Sequence, residues 1–242
     1  MTTLFISDLH LDPSRPRVTE LFLDFLAGEA REAEALYILG DLFEAWIGDD
    51  GAGEDDRRVI DALRALSDSG VPCYFMHGNR DFLVGEDFAR DSGCSLLPDP
   101  SVVSLYGEPV LLMHGDTLCI DDVEHMQFRA MVRDPEWQRE FLSKPIAERQ
   151  AFADKARAES MRQGQYKSME IMDVNPDEVT RVMQEHGVRR LIHGHTHRPN
   201  VHRFDLAGEP AERIVLGDWF DQGSVLRVEA GDYRLETLPM AD

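Results

Sequence analysis

Five short apolar runs each end in a side chain able to hold a cation, and that recurrence restricts what the chain can fold into. Leu36-Tyr37-Ile38-Leu39 runs into Gly40-Asp41, and Leu4-Phe5-Ile6 leads through Ser7 to Asp8-Leu9-His10. Further on, Tyr74-Phe75-Met76 reaches His77-Gly78-Asn79-Arg80-Asp81, Val110-Leu111-Leu112-Met113 reaches His114-Gly115-Asp116, and Leu191-Ile192 reaches His193-Gly194-His195-Thr196-His197. Short apolar runs bounded by turn residues read as buried strands. Asp8 and His10 are two residues apart, so an extended backbone is expected to point both the same way. Ligands of open α/β sheets bind outside the strands' carboxyl ends. Five such ends pool Asp8, His10, Asp41, Asn79, His114, His195 and His197 in one site, a ligand set for two divalent metal ions.

The intervening segments support an α/β chain. Pro16 suits the first turn of a helix carrying Leu21, Phe22, Phe25 and Leu26 on one face, with Gly28 as its stop. Residues 56–69 repeat the helical spacing at Val59, Ile60, Leu63 and Leu66, and a short helix is expected over residues 86–91. Leu96-Leu97, Val102 to Leu105 and Val110 to Met113 read as strands, with Gly107-Glu108 as a turn. Residues 121–173 are helical in character and sit between two ligand-bearing strands, as an insertion or lid within one domain spanning residues 1–242. Asn175-Pro176-Asp177-Glu178 then starts another helix, with Asn as cap and Pro at the first position. The remaining runs predict a closing set of mainly antiparallel strands.

The formal charge of −21, from 25 basic and 46 acidic groups, works against nonspecific binding to nucleic acid or anionic lipid. A polyanionic substrate must be drawn by local charge, which two divalent ions and a few aimed cations supply. The amino terminus enters a strand almost at once, and no run approaches the roughly 20 apolar residues that span a bilayer. A soluble, cytoplasmic chain is therefore expected. Cys73, Cys94 and Cys119 are odd in number and lack metal-binding spacing, so they read as reduced thiols.

Carboxylate and imidazole donors without thiolate suit manganese, iron or zinc in a catalytic setting rather than structural zinc. Asp41 has the short carboxylate needed to bridge two ions about 3.5–4 Å apart, and Asn79 adds a neutral amide oxygen. Asp81 and Asp116 follow ligand positions and are expected to brace loops rather than bind metal. His77, His125, His186, His193 and His202 read as structural, with His125 also placed at the lid entrance. The acidic cluster Asp49-Asp50 and Glu54-Asp55-Asp56 reads as an exposed loop.

These motifs, in this order, resemble those of the calcineurin-like metallophosphoesterases. The resemblance implies a four-layer α/β/β/α sandwich, with a first metal held by Asp8, His10, Asp41 and His197 and a second by Asp41, Asn79, His114 and His195. Much of that superfamily has His after the Gly-Asn, where it protonates an alkoxide leaving group; this chain has Arg80. A phosphate monoester leaving group, with a second pKa of about 6, departs as an anion without such an acid. A guanidinium balancing charge on a pyrophosphate is then the better tool.

Gly78-Asn79-Arg80-Asp81-Phe82, the Gly48-Asp49-Asp50 loop after Trp46 and the helical insertion together resemble the UDP-2,3-diacylglucosamine pyrophosphatase branch, essentially end to end. The branch implies manganese-dependent hydrolysis of UDP-2,3-diacylglucosamine to lipid X and UMP in lipid A synthesis, at the cytoplasmic face of the inner membrane. It also implies a metal-bridged hydroxide attacking the phosphorus next to uridine, and catalytic roles for Asp41, Asn79, Arg80, His114 and His195. Substrate contacts are implied at Asn79, Arg80, Asp122, Ser160, position 164, Lys167 and His195. At position 164 the chain departs from the branch's Asn: Gly164 leaves only a backbone contact.

The insertion fits that implication on its own residues. Ser160, Gly164 and Lys167 lie at i, i+4 and i+7, with Arg157 three before, so one helix face presents a hydroxyl, a gap and two cations. The insertion carries Met126, Met131, Met161, Met169 and Met172 with Phe128, Trp137, Phe141, Ile146 and Phe152, residues suited to an acyl-chain chamber or to the insertion's own core. An open site for nucleotide diesters or phosphoproteins needs no such apolar-faced cover, and a scaffold that had lost catalysis predicts damaged ligands. All seven are intact.

Overall fold

Strands β1 (Thr3–Ile6), β2 (Ala35–Leu39), β3 (Cys73–Met76) and β4 (Cys94–Leu97) lie side by side and parallel, joined by crossover helices α1 (Pro16–Ala27), α2 (Glu54–Asp68) and α3 (Glu86–Ser92). The computed structural model describes residues 2–164 and 173–240. After β4 come the hairpin β5 (Ser101–Leu105) and β6 (Glu108–Leu112), then helices α4 (Val123–Val132), α5 (Pro135–Leu142) and α6 (Ile146–Gly164). The chain continues through α7 (Pro176–Glu185), β7 (Arg190–His193), β8 (Asn200–Leu206), β9 (Glu209–Val215), β10 (Gln222–Glu229) and β11 (Asp232–Pro239). One sheet has the order β11-β10-β1-β2-β3-β4 and the other β5-β6-β7-β9-β8.

The period-two alternation of strand side chains builds four layers from these elements. Leu4, Ile6, Leu36 and Ile38 face outward and pack with Phe22, Phe25, Leu63 and Phe88 of the crossover helices. Phe5, Tyr37 and Leu39 face inward and meet Val110, Leu112, Ile192 and Ile214 of the second sheet. On the far side of that sheet, Leu111, Met113 and Leu191 pack with Val179, Val182 and Met183 of α7. This is the α/β/β/α arrangement expected for the family. It brings the carboxyl ends of β1, β2 and β3 over those of β6 and β7. The closing strands are antiparallel in the β8–β9 and β10–β11 pairs, but β7 runs parallel to both β6 and β9, because a ligand loop must leave it at the same end as the others.

Helix starts follow the sequence signals. The Asn175 side chain accepts hydrogen bonds from Asp177 N and Glu178 N ahead of α7, and Asp134 does the same for Glu136 N and Trp137 N ahead of α5. Helices α4 to α6 lie in the chain between β6 and β7. Their aromatic centre is Trp137, stacked on Phe141 at 4.7 Å and meeting Phe152 at 5.6 Å and Phe82 of the sandwich at 6.3 Å. Arg149 fastens them further: the side chain is fully buried, donating 2.6 Å to Ile47 O and to both carboxylate oxygens of Asp50, at 2.8 and 2.5 Å.

The Asp49-Asp50 stretch is therefore not a bare exposed loop. Asp50 receives Arg149, and Asp49 accepts Trp46 Nε1, Gly85 N and Phe88 N, fixing the start of α3. No helix among the described residues is long and apolar enough to cross a bilayer.

Candidate metal centre

Backbone geometry at the strand ends departs from the extended form expected for Asp8 and His10. β1 ends at Ile6, and Asp8 and His10 have φ of 57° and 49°. Asp41, His195 and His197 also lie in the left-handed region, at 53°, 68° and 55°. That conformation is costly for a residue with a Cβ. The other described non-glycine cases are Tyr106 and Ala207, each before a turn glycine. The turns are held by Asp8 N to Gly40 O at 3.1 Å, His10 N to Asp41 O at 2.9 Å and Gly194 N to His114 O at 2.8 Å. Strain concentrated in this way turns the chain sharply at the strand ends and aims these side chains into one site.

Two glycines let the loops close on one another. A Cβ at Gly78 would lie 2.0 Å from Asp41 Oδ1, and one at Gly194 would lie 2.3 Å from Asp8 Oδ2. The braces are as expected of Asp81 and Asp116. Asp81 accepts Gly78 N at 2.7 Å and Leu42 N at 2.8 Å, while Asp116 accepts Arg129 Nε at 2.7 Å.

Two donor clusters result. In the first, His197 Nε2 lies 3.3 Å from Asp8 Oδ1 and 3.2 Å from His10 Nε2, and His10 Nε2 lies 3.7 Å from Asp41 Oδ2. In the second, Asn79 Oδ1 lies 2.9 Å from His114 Nε2 and 2.7 Å from His195 Nδ1, and His114 Nε2 lies 3.7 Å from Asp41 Oδ1. The seven residues pooled from the sequence are therefore together. Three imidazoles turn Nε2 inward because Nδ1 has an outer neighbour: Leu39 O at 2.8 Å for His114, Asp218 at 3.4 Å for His197 and Glu44 at 3.2 Å for His10.

The donor set fits a pair of divalent cations. Asp8 Oδ1 is buried without a hydrogen-bond partner among the described residues, and the inward nitrogens of His10 and His197 face each other. Burial opposes charge on His114 and His197, yet neighbouring carboxylates carry them up to about 9 and about 10. The carboxylates responsible are Asp41, Asp116 and Asp8 for His114, and Asp218 and Asp8 for His197. Burial raises the Asp8 carboxyl, but His197, His114 and His10 hold it well below its usual range. Burial and the adjacent His114 push His195 well down, leaving a neutral imidazole suited to ligation. The carboxylates of the site thus favour positive charge beside them, which protons or metal ions can supply.

A cleft of about 460 Å³ opens onto this centre. Asn79, Arg80, His195 and His197 line its floor, and Phe82, Phe128, Val132, Phe141 and Phe152 line its apolar part. Asp122, which caps α4 through His125 N, and Ser160 also line it, whereas Lys167 lies outside the described residues and Gly164 is the last residue of α6. Met126 and Met131 are not in the wall: rings rather than thioethers form it, because ring-bearing positions of α4, α5 and α6 face the sandwich. Met169 and Met172 fall outside the described residues, as does the side chain of Met161. His125 stands at the entrance, its ring 5.3 Å from that of His195.

Sequence reasoning missed Glu44, Arg15, Asp218 and Phe220. Glu44 is buried beside His10, Arg15 donates to His10 O, and Phe220 stacks on His10 at 5.8 Å with Arg15 over its ring. The one available signal was Glu44 falling three residues after Asp41, on the loop that carries the shared carboxylate.

Comparison with known proteins agrees with this geometry. A family profile described as calcineurin-like phosphoesterase matches residues 1–199. A protein of Stenotrophomonas maltophilia (strain K279a) named UDP-2,3-diacylglucosamine hydrolase is 59% identical, over 98% of this chain and 99% of its own. Proteins of the same name from Xanthomonas oryzae pv. oryzae (strain PXO99A) and Pseudomonas aeruginosa (strain UCBPP-PA14) are 56% and 55% identical. The alignments span 98% of this chain and 98% of the first, and 99% of this chain and 100% of the second.

Proposed function

The chain belongs to the calcineurin-like phosphoesterase family, and from that premise we propose that it hydrolyses the pyrophosphate bond of UDP-2,3-diacylglucosamine, yielding 2,3-diacylglucosamine 1-phosphate (lipid X) and UMP. The observation that carries this reading is the continuity of the cleft: one cavity is floored by Asn79, His195 and His197 and walled by the rings of Phe82, Phe128, Phe141 and Phe152. A substrate that fills it joins a phosphorus-centred reaction site to apolar chains. The name carried by the relatives at 55–59% identity supports the same choice.

Asp8, His10, Asp41 and His197 would hold one divalent ion, and Asp41, Asn79, His114 and His195 the other. When bound, the two ions supply Lewis acidity and a water nucleophile at neutral pH. Manganese is the proposed metal because the resemblance to the pyrophosphatase branch implies it; the carboxylate, amide and imidazole donors themselves suit manganese, iron or zinc. The chain's own residues do the rest. Asn79 is fixed between His114 and His195 by its amide oxygen. Arg80 follows it in the loop and lines the cleft, where a planar guanidinium can take two phosphate oxygens at once. The leaving group departs as a phosphate anion, so no general acid is required at position 80. Asp122 and Ser160 line the same cleft with hydroxyl- and amide-binding groups for the sugar, while the aromatic wall excludes water.

Residues 121–173 act in this reading as the lid of a single domain. Exposed apolar side chains of the lid outside the cleft, Val123, Met131, Leu142 and Ile146, support a peripheral position at the cytoplasmic side of the inner membrane despite the acidity of the chain. The deciding experiment incubates purified protein and manganese with UDP-2,3-diacylglucosamine and identifies the products by mass spectrometry. Lipid X with equimolar UMP is expected; an intact substrate, beside turnover of a small phosphodiester, overturns the assignment.

A further inference from the structure

Glu44 is a carboxylate with too many partners to be a surface charge. It lies on the loop after Asp41, is 9% exposed, and lines the wall of the cleft next to the metal centre. Its Oε1 lies 3.1 Å from Arg157 Nε and 3.8 Å from Arg80 Nη1, and its Oε2 lies 3.2 Å from His10 Nδ1 and 3.8 Å from Arg15 Nη2. One buried carboxylate thus touches a metal-centre imidazole and three guanidiniums, drawn from α6, from the loop after β3 and from the segment ahead of α1.

The arrangement has a physical cost that only function explains. Three guanidiniums converge on this one carboxylate at a partly dry site, with Asp12 beside Arg157 as a further anion, and like charges gathered this closely repel unless anions join them. Arg15 Nη1 and Arg80 Nε are buried and have no hydrogen-bond partner among the described residues. Donors left open beside a phosphorus-processing centre are placed for oxygens that arrive with substrate. Arg157 reaches Glu44 from the lid helix and also meets Asp12 at 3.2 Å, so the carboxylate joins the lid to the same centre.

We propose that Glu44 is a positioning residue: it gathers Arg15, Arg80 and Arg157 into one cationic arc facing the substrate's diphosphate and orients His10 through Nδ1. It acts through those side chains and does not itself touch the reacting atoms. The diphosphate part rests on the hydrolase reading above; the His10 part does not.

The test uses Glu44→Gln, which keeps shape and volume and removes charge, with Glu44→Asp as a second variant that keeps the charge but shortens its reach. Calorimetric titration of the metal-stripped protein with manganese is the first readout. Outer partners of metal-binding histidines typically contribute about 10–100-fold in affinity, so Glu44→Gln is expected to bind at least one ion about tenfold more weakly, with Glu44→Asp in between. Unchanged affinity in a variant that melts with the parent overturns the His10 role. The second readout is kcat/KM on UDP-2,3-diacylglucosamine at saturating manganese, for Glu44→Gln, Arg157→Ala and the double variant. If Glu44 works through Arg157, the double variant loses no more than the worse single one; multiplying losses overturn the positioning of the arginines. Should the parent not cleave this substrate, the hydrolase reading fails, while the titration still decides the His10 role.

Discussion

The two carboxylate oxygens of Asp41 face different imidazoles: Oδ2 lies 3.7 Å from His10 Nε2, and Oδ1 lies 3.7 Å from His114 Nε2. The aspartate thereby belongs to both donor clusters, and β2 places it between the loops of its neighbours β1 and β3. Replacing it by alanine is expected to remove at least one ion per chain and to lower turnover on the order of 10³-fold, the upper range for losing one charge-stabilising group. Elemental analysis and a melting curve check this. Two ions retained with normal turnover would remove Asp41 from the bridging position.

The same approach of loops makes Gly78 sensitive to a single methyl. A Cβ there would lie 2.0 Å from Asp41 Oδ1 and 2.3 Å from Asp41 N, both parts of the metal-centre loop rather than a flexible tip. Gly78→Ala is expected to cost about 1–3 kcal/mol of stability as an overpacked site and to lower metal affinity with it. Gly70 is the control: it has φ of 98° but open space around it. Gly70→Ala should therefore carry only the backbone penalty of about 1–2 kcal/mol and leave metal binding unchanged, as paired denaturation and metal titrations will test.

What the sequence disclosed follows from how the signals are built. Strand ends read well because buried apolar runs stopping at Asp41, Asn79 or His114 are local patterns, and the start of helix α7 was legible from Asn175-Pro176-Asp177-Glu178. The left-handed turns at Asp8, His10, Asp41, His195 and His197 were not, since non-glycine residues take that conformation only when distant loops enforce it. Glu44 and Arg149 were missed for a related reason. Their importance lies in partners 99 or more residues away, or on other loops, and charge spacing along the chain carries no trace of it.

Arg149 marks where α6 is fastened to the sandwich. Its burial, its bond to Ile47 O and its paired bonds to Asp50 make the α6 end of the lid dependent on one side chain. Arg149→Met fills the space but leaves the carbonyl unpaired, a loss of about 1–3 kcal/mol. Asp50 is largely exposed, so the ion pair itself adds little to that figure. Hydrogen exchange should quicken in α5 and α6 but not in β1 to β3; uniform protection across the lid would reject the fastening role.

The aromatic wall is expected to matter for acyl chains and not for phosphorus chemistry. Phe128 is 37% exposed and lines the cleft, so a charge there need not disturb the core. Phe128→Glu should raise KM for the acylated substrate by about tenfold or more, since burying the ring against a chain contributes on the order of 1.5–3 kcal/mol. Hydrolysis of a small activated phosphodiester should change less than twofold. Equal losses on both substrates would mean that the insertion only supports the fold.

Arg80 and the position of attack can be tested together. Arg80 lines the cleft directly after Asn79. Attack at the phosphorus next to uridine expels a sugar phosphate, whose charge a guanidinium can match with two parallel hydrogen bonds; lysine offers the charge without that geometry. Arg80→Ala should keep both ions and lose about 2–4 kcal/mol of transition-state stabilisation, the scale for removing one preorganised donor. Arg80→Lys should recover only part of it. In oxygen-18 water the label is expected in UMP. Label in lipid X instead moves the attack to the other phosphorus, and near-normal turnover by Arg80→Ala removes the guanidinium from the reaction, so each half of the assignment fails on its own measurement.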